Sequence, residues 1–216
     1  MAGARRGPSP AAAEATGPGK GRAEAFSDGV MAIIITIMVL ELKLPDTLAH
    51  GFDRAALLAF APRLIAYAMS FLAVAIMWMN HHYLLAALRQ TSGGFLWLNN
   101  LLLFWMSLIP AATAFLSEHP LAAPAAAIYG GVLTCSSATF TMMRIWVQRL
   151  QRETPALARL QAAMRVRSLI ATAVYALSAP LAFVSIYLAF ACFAIVPAMF
   201  FLPQWRTKAM TGTDRA

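Results

Sequence analysis

The sequence predicts an all-α membrane protein with six transmembrane helices per subunit. Three observations carry this expectation. Of the 216 residues, 60% are hydrophobic and only 12% are charged, whereas about a quarter of a soluble domain is charged. Long apolar runs recur along the chain, each near or above the roughly 20 residues that a helix needs to cross a bilayer core of about 30 Å. The cationic residues gather in alternate connections, as the positive-inside rule requires of a multi-spanning chain.

Residues 1–19 are rich in Ala, Gly, Pro and Ser, with Arg5 and Arg6 and no apolar core. They lack the pattern of a signal peptide and read as a disordered cytoplasmic tail. A transmembrane domain is expected over 20–205, followed by a cytoplasmic C-terminal tail over 206–216. The first span covers about 24–44. A loop with Pro45, Asp46, His50, Gly51 and Asp53 leads to a second span over about 55–85, which holds Pro62 and ends in WMNHHYLLAALR. The third span covers about 95–116 and the fourth about 125–147. A basic connection is expected over about 148–166. The apolar stretch Ser168–Pro203 is divided into a fifth span of about 166–182 and a sixth of about 184–203. Ser178, Ala179 and Pro180 are the candidate break, and Ser185 its later limit.

Six spans place every Lys and Arg on one side except Lys43, Arg54 and Arg63. That side holds both termini, so both are expected in the cytoplasm. Trp78, Trp97, Trp146 and Trp205 fall at the cytoplasmic ends of their helices, where tryptophan favours the interface. Cys135 and Cys192 sit in apolar runs and read as small hydrophobes rather than a disulfide or metal pair.

Polar groups at membrane depth are the candidates for function. The first apolar run begins with Ser27, Asp28 and Gly29, and a carboxylate there costs several kcal/mol unless it is partnered. His81 and His82 near the end of the second span, and Asn99 and Asn100 near the start of the third, lie at a similar depth. These three helices can supply hydrogen bonds to one another. An Asp–His–Asn set also occurs in hydrolases. However, the chain has no GxSxG, HExxH or CxxC pattern, and adjacent histidines point to different helix faces, a poor metal arrangement. A clamp between helices is therefore favoured, and no enzyme activity or cofactor is expected. The basic stretch 148–167 is accounted for by topology and contact with anionic lipid, not by nucleic acid.

At 100° per residue, Ile37 and Leu40 lie about 40° and 20° to either side of Ile33, with Gly29 and Phe26 below them. Asp28 lies about 140° from this stripe. The segment is apolar all round, so periodicity leaves open whether the stripe meets lipid, another helix or a pore.

Arg22, Phe26, Ser27 and Asp28 form an R-x-x-x-F-S-D pattern, followed by Gly29. Trp78-Met79-Asn80-His81 supplies a W-x-x-H, and Trp97-Leu98-Asn99 precedes Pro110 and Thr113. These residues resemble the transmembrane protein 175 family, the endolysosomal potassium channel and its bacterial relatives, in its single-repeat bacterial form. The resemblance implies a homotetramer with a central pore lined by the first helix, in a bacterial plasma membrane, with K+ as the permeant ion and no cofactor. It puts an apolar constriction at Ile33, Ile37 and Leu40 in place of a TVGYG filter, with the hydroxyl of Thr36 beside it. Asp28 would then hold the first helix against the second and third through Ser27, His81 and Asn99, with Phe26 and Arg22 in the same network. The partners implied are further copies of the chain, membrane lipid and potassium. A proton channel or proton-coupled transporter using Asp28 and His81 is the alternative, and a non-conducting scaffold stands behind it.

Overall fold

The computed structural model describes residues 19–42, 54–88, 91–150 and 155–201. Among these the chain is helical: α1 (Lys20–Leu40), α2 (Arg54–Ala87), α3 (Gly93–Ser107), α4 (Ile109–Glu118), α5 (Ala123–Leu150), α6 (Pro155–Val184) and α7 (Ile186–Phe201). Apart from Gly19, which caps α1, the expected tails at 1–19 and 206–216 lie outside the described residues, as do Arg89 and Trp205.

The segments Lys20–Leu40, Arg54–Ala87, Gly93–Glu118 and Gln161–Val184 are long and apolar enough to cross a membrane, and Ile186–Phe200 is a shorter apolar helix. The run of α5 is diluted by Thr134, Ser136, Ser137, Thr139, Thr141 and Arg144. α3 and α4 make one rod interrupted at Leu108, where Pro110, near the start of α4, brings no N–H to the preceding turn. Counted in this way the helices form six rods.

Three boundaries differ from the sequence reading. α1 begins at Lys20 and ends at Leu40, about four residues before the expected end. The expected connection over 148–166 is largely helical, because α5 continues to Leu150 and α6 starts at Pro155. A proline at the first position of a helix loses nothing, since that N–H has no helical partner. The helix also runs through Pro180 and breaks at Ser185, whose N–H bonds Leu181 O at 2.8 Å and whose carbonyl accepts from Leu188 N at 3.1 Å. Proline inside a membrane helix is tolerated where packing and nearby polar groups compensate the freed backbone.

Contacts between helix ends establish the alternation of the rods. Lys20 Nζ at the start of α1 donates to Ala86 O at the end of α2. Gly94 at the start of α3 lies against Trp146 near the end of α5. Gln148 of α5 donates to Gln161 O of α6 at 3.0 Å, and Arg167 Nη2 of α6 donates to Met199 O near the end of α7. The start of α1 and the end of α7 therefore share one end of the bundle.

α1 packs on α2, α3 and α4, whereas α5 and α6 form the most extensive pair and α7 lies chiefly against α6. α1 thus stands at one edge of the subunit. Between the two groups Ser70 of α2, Thr113 of α4 and Tyr129 of α5 join their hydroxyls at 2.8 Å per link. The Tyr129 ring meets Phe193 of α7 edge-on, with centroids 4.8 Å apart. Gly130 permits the close approach of α5 to α6, since a Cβ there would fall 2.2 Å from Ser178 Oγ.

Candidate functional site

The two faces of α1 are sharply different in burial. Ala23, Ser27, Met31, Ile34 and Met38 are buried against the neighbouring helices. Their spacing of three and four residues is that of one helix face. On the opposite side Phe26, Ile33, Ile37 and Leu40 are 58%, 57%, 42% and 73% exposed. Gly29 and Arg22 lie on the same exposed side. Thr36 is also exposed, and its Oγ1 lies 2.9 Å from Ile33 O and 3.1 Å from Ala32 O. The hydroxyl proton is thus used within the helix, and the oxygen keeps its lone pairs.

The buried face is anchored by a chain of three side chains. Ser27 Oγ donates to Ala23 O at 2.8 Å, so its one proton is used there. It can therefore only accept from Asn99 Nδ2, at 2.9 Å. That orients the amide so that Asn99 Oδ1 faces His81 Nε2 at 2.8 Å, and Nε2 must carry the proton. Ser27 and His81 are fully buried and Asn99 nearly so. His81 Nδ1 is buried and has no hydrogen-bond partner among the described residues.

Asp28 is not part of this chain, contrary to the sequence expectation. Its Oδ1 accepts from Trp78 Nε1 at 2.9 Å. The reason is geometric: Ser27 and Asp28 point about 100° apart on one helix and cannot aim at the same place. Trp78 and His82, four residues apart on α2, share the flank that Asp28 reaches. His82 stacks on Trp78 with centroids 6.2 Å apart, and its Nδ1 lies 3.4 Å from Glu24 Oε1. α1 is therefore joined to its neighbours by a buried neutral chain and, on its flank, by a more exposed set containing both acids. Arg22 forms no ion pair among the described residues. Asn100 is exposed, unlike its neighbour Asn99.

Sequence reasoning missed several interhelical polar contacts, among them Ser137 Oγ of α5 with Thr172 Oγ1 of α6 at 2.8 Å and two others. One is the hydroxyl cluster of Ser70, Thr113 and Tyr129. The other is Arg144 Nη2 of α5, which donates to Asn80 Oδ1 of α2 at 3.3 Å. Arg144 is only 4% exposed. Each was signalled only by polar residues within membrane-helix segments, and the partners could not be named before the helices were packed.

The fold and the one-sided burial of α1 define a multi-spanning α-helical membrane protein in which one face of α1 is left uncovered at an edge of the bundle. A family model described as the endosomal/lysosomal potassium channel TMEM175 matches residues 22–110, the stretch that holds α1 to the start of α4. A potassium channel of Chryseobacterium sp. (strain P1-3) is 38% identical over 191 residues, covering 88% of this chain and 96% of that protein. A potassium channel of Chamaesiphon minutus is 38% identical over 134 residues, 58% of this chain and 64% of its own. The human endosomal/lysosomal proton channel TMEM175 is 38% identical over 101 residues, 43% of this chain and 20% of that protein. The crystal structure of a TMEM175 homologue from Chamaesiphon minutus superposes with a TM-score of 0.73 at 30% identity, covering 84% of this chain and 95% of that one. The chain belongs to the TMEM175 family.

Proposed function

We propose that the protein is a potassium-permeable cation channel in a bacterial plasma membrane, assembled from four copies around their α1 helices. One observation carries the reading. α1 covers one face with Ser27, Met31, Ile34 and Met38 and leaves Ile33, Ile37 and Leu40 uncovered at the edge of the subunit. In a closed ring of subunits these side chains form stacked apolar rings. A ring narrow enough to dewet is a barrier to ions, and a small rotation or tilt of α1 widens it. The Thr36 oxygen lies beside the narrow region and offers a ligand to a partly dehydrated cation. Selectivity then follows from dehydration cost, with no TVGYG filter and no cofactor.

Support for potassium comes from the relatives, three of which, all bacterial, are named potassium channels. Ser27, Asn99 and His81 hold the orientation of α1, while Asp28 adds the contact with Trp78. Both termini lie in the cytoplasm in this reading, with the basic ends of α1, α5 and α6 on that side.

The test is potassium flux into liposomes beside a sodium control. Wild-type protein passes potassium with a reversal potential that follows the potassium gradient, and Ile33→Asn raises the leak and lowers the preference over sodium. Unchanged permeability in Ile33→Asn removes Ile33 from the conduction path, and a monomer in detergent counts against a pore built from one helix per subunit.

A proton-conducting reading is the second, because the human relative is named a proton channel. Its relay through Asp28 and His81 lacks a direct link, since Asp28 bonds Trp78 and His81 bonds Asn99. A current that follows the pH gradient in the absence of potassium would favour it.

A further inference from the structure

A tyrosine buried in a membrane bundle has an apolar ring to pack and a hydroxyl that needs a partner. Tyr129 meets both needs, with its ring against Phe193 and its hydroxyl 2.8 Å from Ser70 Oγ. Tyr175 of α6 is equally buried, at 2% exposed. Its hydroxyl, however, makes no hydrogen bond among the described residues. Buried polar atoms without a protein or water partner are exceptional. Tyr175 lines a cavity of about 30 Å³ between α2, α5, α6 and α7. Asn80, Ser137 and Ser168 are the other polar residues of its wall, and Ala171 lies one helical turn from Tyr175 in the same wall. The space suits about one or two water molecules.

The protons of these side chains can be assigned. Ser168 Oγ donates to Met164 O at 3.1 Å. Thr172 Oγ1 donates to Ser168 O at 3.0 Å, which uses its one proton. Ser137 Oγ, 2.8 Å from Thr172 Oγ1, is therefore the donor in that pair. Both serine protons are used, and both serine oxygens keep lone pairs. Asn80 Nδ2 gives one proton to Ile76 O at 2.8 Å, and its Oδ1 accepts from Arg144. The second Nδ2 proton remains. The wall thus offers donors from Tyr175 and Asn80 and acceptors from Ser137 and Ser168. That inventory is the complement of a water molecule, which donates twice and accepts twice.

We propose that this cavity is a structural water site, in which a water accepts from Tyr175 Oη and Asn80 Nδ2 and donates to Ser137 Oγ and Ser168 Oγ. A metal ion is disfavoured, because no charged residue is in the wall. An apolar guest such as a lipid methyl group leaves the Tyr175 hydroxyl buried and unpaired, which is costly. The water joins Asn80 of α2 to Ser168 and Tyr175 of α6, residues that Asn80 does not itself bond. The site lies apart from the exposed stripe of α1 and from the chain of Ser27, Asn99 and His81, so it holds whether or not α1 lines a pore.

The experiment is an electron cryomicroscopy map of the full-length protein in lipid nanodiscs, at a resolution that shows ordered water. A water peak is expected about 2.6–3.2 Å from Tyr175 Oη and from at least two of Ser137 Oγ, Ser168 Oγ and Asn80 Nδ2. A cavity without density, or one filled by an acyl chain, overturns the proposal without reference to any variant. Thermal unfolding gives an independent check. Ala171→Val places methyl groups in the cavity and expels the water. It should lower the midpoint by about 2–4 °C more in the wild-type background than in Tyr175→Phe, where no hydroxyl is left unpaired. Equal shifts in the two backgrounds, or a midpoint raised equally in both, would mean that the cavity is dry and would also overturn it.

Discussion

Replacing Asn99 by alanine removes the middle link of the chain from Ser27 to His81. Two interhelical hydrogen bonds are lost, each worth about 0.6–1.7 kcal/mol between membrane helices. The N–H of His81 Nε2 is then left buried without an acceptor, which costs about 1–3 kcal/mol. Ser27 loses nothing further, because its proton remains on Ala23 O at 2.8 Å. The terms overlap, so Asn99→Ala should destabilise the subunit by about 2–4 kcal/mol. Asn99→Leu and His81→Phe, made singly, should each be costly, since each leaves a buried partner unpaired. Made together they replace both polar groups by apolar ones of similar size, and the double variant should cost about 1–2 kcal/mol less than the sum of the singles. The measurement is reversible unfolding in mixed micelles, followed by far-UV circular dichroism, for the four members of the cycle. Additivity within about 0.5 kcal/mol would mean that His81 and Asn99 are not coupled, and the reasoning built on their hydrogen bond would fail.

Asp28→Asn should cost less than about 1 kcal/mol in the same assay, because an amide oxygen can still accept from Trp78 Nε1; a loss equal to that of Asn99→Ala would show that the charge itself is needed. Gly130→Ala should destabilise by about 1–3 kcal/mol, since the new methyl meets Ser178 Oγ and Phe193. Adding Ser178→Ala should recover much of that loss in thermal unfolding, and no recovery would place the strain elsewhere. Tyr129→Phe should cost about 1 kcal/mol through its lost bond to Ser70, measured in the same way. His82→Ala should change stability by less than about 1 kcal/mol, because its pairing with Glu24 is long, at 3.4 Å, and only partly buried.

The uneven outcome of these substitutions reflects how polar groups are distributed in an apolar chain. Ser27, His81 and Asn99 were legible in the sequence because a polar side chain in a membrane helix stands out and needs a partner. Arg144 was equally visible as a residue inside the expected fourth span, but its partner Asn80 on α2 follows only from the packing of the helices. Charges near a helix end do not show how far the helix continues beyond the bilayer. Similarly, Pro180 was a reasonable candidate break by its missing N–H. The helix instead continues through it, with Ser178 Oγ donating to Tyr175 O within the same helix at 2.6 Å, and the chain reverses after Val184.

The sequence by itself determined the all-helical membrane class, the succession of apolar segments and the common level along the helices of Asp28, His81 and Asn99. Those properties follow from composition, segment length and the helical rise, all of which are local. Tertiary structure alone decided which stripe of α1 is covered. The helix is apolar on every side, so no periodicity distinguishes the face that packs on α2, α3 and α4 from the face bearing Ile33, Ile37 and Leu40. It also decided that Asp28 turns to Trp78 while Ser27 turns to Asn99, because two adjacent residues diverge by about 100° and only the placement of neighbouring helices determines what each one meets.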